Sequence, residues 1–144
     1  MKAKAGFLLI ALLTLGAGGA TDAKKDLEKI AGTWSVSGLT YNGKEHNLKF
    51  NFVFKGNEGI IENNDRVKSE YARIKLKLDP SAKPAAVDIT IVAGSQTDAA
   101  MEGIYELKGD ELRICAKVFG KDRPTEFAAP DGSSIVLLSL KRGE

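Results

Sequence analysis

An all-β fold, an eight-stranded antiparallel up-and-down barrel with a short N-terminal helix, is what this sequence predicts. Three observations predict it. Apolar and polar residues alternate with a period of two through most of residues 33–142, the pattern of strands wetted on one side. Turn signals built from Gly, Asn, Asp and Pro recur at short intervals between those runs, as in sandwiches and barrels. The connections are mostly short, so strands adjacent in sequence are expected to pair. A meander of eight strands closes on itself and removes its own edges, which favours a barrel over a sandwich.

The first twenty residues read as an address. Met1-Lys-Ala-Lys4 is a basic start, residues 6–19 carry no charge, and residues 7–13 are strongly apolar. Small residues follow at Gly18-Gly19-Ala20 and Thr21-Asp22-Ala23. This order is that of a secretory signal peptide over residues 1–20, cut after Ala20 or Ala23. The apolar stretch is short of the ~20 residues a spanning helix needs, so no stable membrane anchor is expected after cleavage. The expected location is periplasmic or extracellular. The 144-residue chain then leaves one domain over residues 24–144.

The elements follow in order. Residues 22–31 predict a short helix, capped by Thr21 or Asp22 and stopped by Gly32. Leu27, Ile30 and Ala31 share one face of it, suited to plugging an end of the fold. The period then changes to two. Residues 33–39 set Trp34 and Val36 against Ser35 and Ser37. Asn42-Gly43 is a hairpin signal, and the segment around it to Asn47 reads as a polar loop. Residues 48–55 set Leu48, Phe50, Phe52 and Phe54 against Lys49, Asn51, Val53 and Lys55. Gly56-Asn57 turns the chain into residues 59–62, and Asn63-Asn64-Asp65 breaks it again. Residues 70–78 set Ala72, Ile74, Leu76 and Leu78 inside, with Tyr71, Arg73, Lys75 and Lys77 outside. After the Asp79-Pro80 to Pro84 loop, residues 86–92 carry Val87, Ile89 and Ile91 on one face. Residues 101–107 and 111–118 form a hairpin about Lys108-Gly109-Asp110. Leu112, Ile114, Ala116 and Val118 share one face of its second arm. A loop over residues 120–132 precedes the last strand, 134–142, where Val136, Leu138 and Leu140 are in step.

Composition excludes several functions. Lys plus Arg is 21 and Asp plus Glu is 19, too even a balance for a nucleic-acid binder. Removing residues 1–20 takes away Lys2 and Lys4 and brings the net charge from +2 to zero. A single cysteine, Cys115, and a single histidine, His46, leave no internal disulfide, no multi-cysteine zinc site and no His-pair metal site. No cofactor or metal is expected. Cys115 is out of phase with Leu112, Ile114 and Ala116, so it faces outward or sits under a loop. Arg113 and Lys117 flank it without supplying a base. His46, beside Glu45 in the polar loop, is expected to be solvated. Glu102, Glu106 and Glu111 are spread along one hairpin, with nothing to fix the carboxylate pair that glycoside hydrolysis needs. No catalytic constellation is visible, and the chain is read as a non-enzyme.

Gly32-Thr33-Trp34 starts the first predicted strand just after a helical turn. It resembles the Gly-x-Trp signature of lipocalins and their calycin relatives, in which an arginine near the end of the last strand stacks on the tryptophan. Arg142 holds that position here, so Trp34 and Arg142 are expected to touch. Several linked motifs extend the likeness: Leu78-Asp79-Pro80, the run from Lys83 to Thr90, Gly103-Ile104-Tyr105-Glu106-Leu107, Gly109-Asp110-Glu111-Leu112, Arg123-Pro124-Thr125-Glu126-Phe127 and Leu137 to Arg142. Together they resemble a lipocalin-like domain family of uncharacterised function, expanded in planctomycete bacteria. The resemblance covers about residues 28–142 and implies a fold and export, but no reaction.

Two groups of candidate residues follow. Trp34, Phe50, Phe52, Phe54, Ile74, Leu76, Ile89, Tyr105 and Ile114 are expected inside the barrel. They either fill it or line a cavity for a small apolar ligand, with Tyr105 as the polar handle. Arg123, Glu126 and Phe127 belong either to a ligand-binding rim or to a loop clamp. In the clamp, Arg123 pairs with Glu126 or a strand carboxylate and Phe127 plugs the barrel. The expected partner is a small apolar ligand or, if the barrel is solid, an envelope protein bound through an outer stripe such as Tyr71, Arg73, Lys75 and Lys77. An interior without a cavity above ~100 Å³ would exclude the first, since ligand pockets run to ~300 Å³ and more.

Overall fold

The computed structural model describes residues 22–62, 73–92, 100–118 and 121–143. The leader, the Asn63-Asn64-Asp65 break and Tyr71 lie outside the described residues. A helix over residues 22–30, α1, comes first. Nine strands follow among the described residues: β1 (Gly32–Tyr41), β2 (Lys44–His46), β3 (Asn51–Lys55), β4 (Glu58–Glu62), β5 (Arg73–Asp79), β6 (Ala86–Ile91), β7 (Ala100–Lys108), β8 (Glu111–Lys117) and β9 (Ile135–Arg142). All pairings are antiparallel, β3 to β9 pair in sequence order, and β1 pairs with both β3 and β9. The ring is therefore closed, and the protein is an eight-stranded antiparallel barrel with one short helix.

The ninth strand is a local refinement. The predicted strand 48–55 forms ladder pairs only from Asn51, and the loop about His46 contains β2. Both β2 and β3 lie on the same side of β1: β2 pairs with Leu39–Tyr41 and β3 with Gly32–Ser35. Asn42 and Gly43 turn the chain between β1 and β2 with φ of 53° and 86°, the left-handed pair that a tight hairpin demands. Gly43 is also required for space, because a Cβ there would lie 2.7 Å from the Asp131 backbone.

A β-bulge between Val36 and Gly38 breaks the β1–β9 register. The extra residue shifts the phase of β1 by one. Trp34 and Val36 therefore face inward before it and Leu39 after it, opposite Leu138.

One continuous core lines the ring. Trp34, Leu76, Leu78, Val87, Tyr105, Leu112 and Leu140 are buried with Ile30 of α1 in the half nearer the helix. Phe52 and Phe54 stack with centroids 5.5 Å apart, and Phe54 packs on Gly59, its cross-strand partner. Gly103 lets β7 and β8 approach closely: a Cβ there would lie 2.5 Å from the Cys115 carbonyl oxygen and 2.9 Å from the Ala116 side chain. Neither obstacle is the end of a flexible chain. Gly103→Ala is therefore expected to cost about 1–3 kcal/mol, the usual cost of overpacking. Urea unfolding followed by circular dichroism should show a midpoint lower by roughly 1 M. An unchanged midpoint would mean that the two strands separate freely at this point.

Candidate functional site

The helix end of the barrel is sealed by three side-chain anchors. Trp34 is fully buried, and its Nε1–H donates to the Ile30 carbonyl at 2.6 Å. The Arg142 guanidinium lies 4.3 Å from the Trp34 ring centroid, a cation–π contact. Arg142 also donates to the Lys29 and Ala31 carbonyls at the end of α1, and to Asp110. The expected Trp34–Arg142 contact is thus present, and it caps the helix C-terminus as well.

Tyr105 is the third anchor, and here the structure corrects the sequence reading. Its hydroxyl is not a handle in the cavity. It donates to Asp26 Oδ2 of α1 at 2.6 Å, and burial together with that carboxylate pushes the phenol pKa far upward. The hydroxyl stays protonated and ties the helix to β7.

In the other half of the barrel the side chains leave an apolar cavity of about 230 Å³. Among the described residues, the thirteen that line it are all apolar. Phe50, Phe52, Phe54, Ile74, Ile89 and Ile114, six of the nine expected interior residues, stand in its wall. Trp34, Leu76 and Tyr105 are buried but pack the sealed half instead. Leu39, Ile61, Ile91, Met101, Ala116, Val136 and Leu138 complete the wall. Alternation alone puts Ala116, Val136 and Leu138 on that face. Leu39 reaches it only through the bulge, and Ile61 through its register opposite Phe52.

The rim candidates form a strap on the outside. Arg123 Nη1 donates to the carbonyls of Val87 at 3.2 Å and Gly103 at 2.8 Å, while Nη2 meets Asp88 Oδ1 at 2.8 Å and Glu102 Oε1 at 3.7 Å. Arg123 thus grips strand carboxylates and carbonyls across β6 and β7, not Glu126. Phe127 does not plug the barrel, a second correction. Its ring lies 4.3 Å from the Arg113 guanidinium on the outer face. Arg113 in turn binds Glu106 and holds that carboxyl below the usual carboxylate range.

Beneath the strap is a small outer core. Ile104 and Cys115 are cross-strand partners that face away from the barrel interior, yet both are almost fully buried, as are Ala86 and Ala129. The Cys115 thiol faces the carbonyl oxygens of Glu126 at 3.5 Å and Ala128 at 3.4 Å. Burial pushes its pKa up, so it is a poor nucleophile at neutral pH. Glu126 contributes this backbone carbonyl, and its side chain is exposed.

The remaining candidates carry no comparable site. His46 and Glu45 are exposed on β2. Arg73, Lys75 and Lys77 are exposed on β5, but Lys75 stands opposite Glu58 and Lys77 opposite Asp88, so the stripe is interleaved with carboxylates. A wide depression of about 690 Å³ lies between α1 and the 80–85 loop. Among its charged groups, Arg142, Asp26 and Glu106 already have partners within the protein. Among the described residues, no group of three or more His, Cys, Asp or Glu side chains is placed to hold a metal ion.

These features define a class: a closed, helix-sealed antiparallel barrel with an apolar cavity at the end away from the helix. No family model, curated protein or solved structure matches the chain.

Proposed function

We propose that this protein is an exported, non-enzymatic binding protein of lipocalin-like type that holds one small apolar ligand in its barrel. The observation that carries this reading is the 230 Å³ cavity, whose wall among the described residues is made of apolar side chains. A dry apolar cavity of ~150 Å³ already binds benzene, so this one has room for a small guest. Apolar burial supplies the driving force, and the closed ring around the cavity supplies a preformed shape.

The test is titration of the purified protein with toluene, followed by NMR of the Ile, Leu and Val methyl groups. Methyls of Ile74, Ile89, Ile114 and Leu138 are expected to shift in a saturable way, while those of Leu112 and Val87 in the sealed half stay still. Val136→Trp, which fills the cavity from a half-buried wall position, should abolish the shifts while the fold is retained. No saturable shift in the parent protein would overturn the reading.

A further inference from the structure

The cavity wall also says what its guest is made of. The polar groups of Tyr105, Trp34 and Arg123 are engaged elsewhere. The Tyr105 hydroxyl is held by Asp26 toward α1, the Trp34 Nε1–H is held by the Ile30 carbonyl, and Arg123 lies on the outer face. A hydroxyl or carboxyl carried into this cavity exchanges its hydrogen bonds with water for contacts with Phe, Ile, Leu and Met. That loss weakens binding roughly tenfold to a hundredfold per group.

Length is limited as well. Trp34, Leu76, Leu112 and Leu140 fill the helix half of the core, so the cavity has no passage toward α1. A cavity of ~150 Å³ accommodates the six carbons of benzene. In proportion, the 230 Å³ here accommodates roughly nine.

We infer that the buried part of the ligand is a bare hydrocarbon of no more than about nine carbons. It enters hydrocarbon-first from the end opposite α1, and any polar group it carries stays outside the cavity. The inference rests on the binding reading above and narrows it to short-chain or single-ring guests, leaving out long-chain lipids and polycyclic pigments as fully enclosed ligands.

The experiment is calorimetric titration of the intact protein with 1-alkanols from butanol to dodecanol, beside 1,8-octanediol and toluene. Affinity should rise about fourfold per methylene and flatten near nine carbons. The diol should bind at least tenfold more weakly than 1-octanol, because one end must bury a hydroxyl. Affinity that still climbs at dodecanol, or a diol that equals octanol, would overturn the inference. Toluene binding with no alkanol binding would overturn it while the cavity reading stands. Failure of toluene and every alkanol would overturn both.

Discussion

Trp34→Ala should remove a large part of the stability of this barrel. Trp34 is the only tryptophan and is fully exposed to the core and not at all to solvent. Truncating a buried aromatic of this size costs about 3–5 kcal/mol through lost burial and the cavity left behind. A domain of this length has ~5–15 kcal/mol in total. Two further contacts go with the ring: the 2.6 Å hydrogen bond to the Ile30 carbonyl and the stacking of Arg142. A substitution series separates the contributions. Trp34→Phe restores much of the apolar bulk but leaves the Ile30 carbonyl without its donor, and should retain a deficit of about 1–2 kcal/mol. Arg142→Ala should cost about 1–2 kcal/mol, since its guanidinium is only partly shielded and its partner Asp110 is largely exposed. The double variant with Trp34→Phe should show a coupling of about 0.5–1 kcal/mol. Urea unfolding followed by far-ultraviolet circular dichroism reads the four variants against the parent. A Trp34→Ala midpoint close to that of the parent would mean that α1 and the sealed end contribute little to the cooperative fold.

The barrel was legible because most of its strands are wetted on one face. On β5 the alternation is complete, with Ile74, Leu76 and Leu78 buried between exposed Arg73, Lys75, Lys77 and Asp79. Where a strand is covered on both faces, period two loses its meaning. Ile104-Tyr105 on β7 and Ile114-Cys115-Ala116 on β8 are consecutive buried residues. Such runs on two paired strands are the sign of an outer cover. They are the signal that the loop motif lies across the outside rather than over the mouth, so that Phe127 meets Arg113 and not the lumen. The bulge at Val36/Gly38 has no comparable signature. One unpaired residue in a ladder changes no composition, yet it decides that Leu39 helps line the cavity. The cavity itself lies below the resolution of pattern reading. Whether three phenylalanines on one strand fill a barrel depends on their rotamers. Here Phe52 and Phe54 stack on each other and Phe50 meets Phe52 edge-on, which leaves space beside them rather than between them.

Removing Arg123 should free the strap without melting the barrel. Its guanidinium joins two carbonyls and a carboxylate on two strands, a planar fork that a lysine ammonium cannot reproduce. Its side chain is about one-third exposed, so the charged contacts are screened, and about 1–2 kcal/mol of local stability is a fair share for them. The readout is built in. Cys115 is completely covered and faces the strap carbonyls of Glu126 and Ala128, so a thiol reagent reaches it only when the strap lifts. Labelling then follows the population of that local opening, and each ~1.4 kcal/mol changes it tenfold. Arg123→Ala is expected to speed labelling at neutral pH by roughly tenfold with a much smaller change in the global unfolding midpoint, and Arg123→Lys should fall between. Raising the pH should speed labelling in the parent protein too, because the thiolate is the reactive form once the strap has lifted, while burial keeps the covered thiol protonated. The sign for stability is the opposite one. A group whose pKa is raised in the folded state contributes fully at low pH, and that contribution is lost as alkali ionises the thiol first in the unfolded chain. Labelling that stays slow in Arg123→Ala, or that follows global unfolding in every variant, would mean that the strap and barrel open only together.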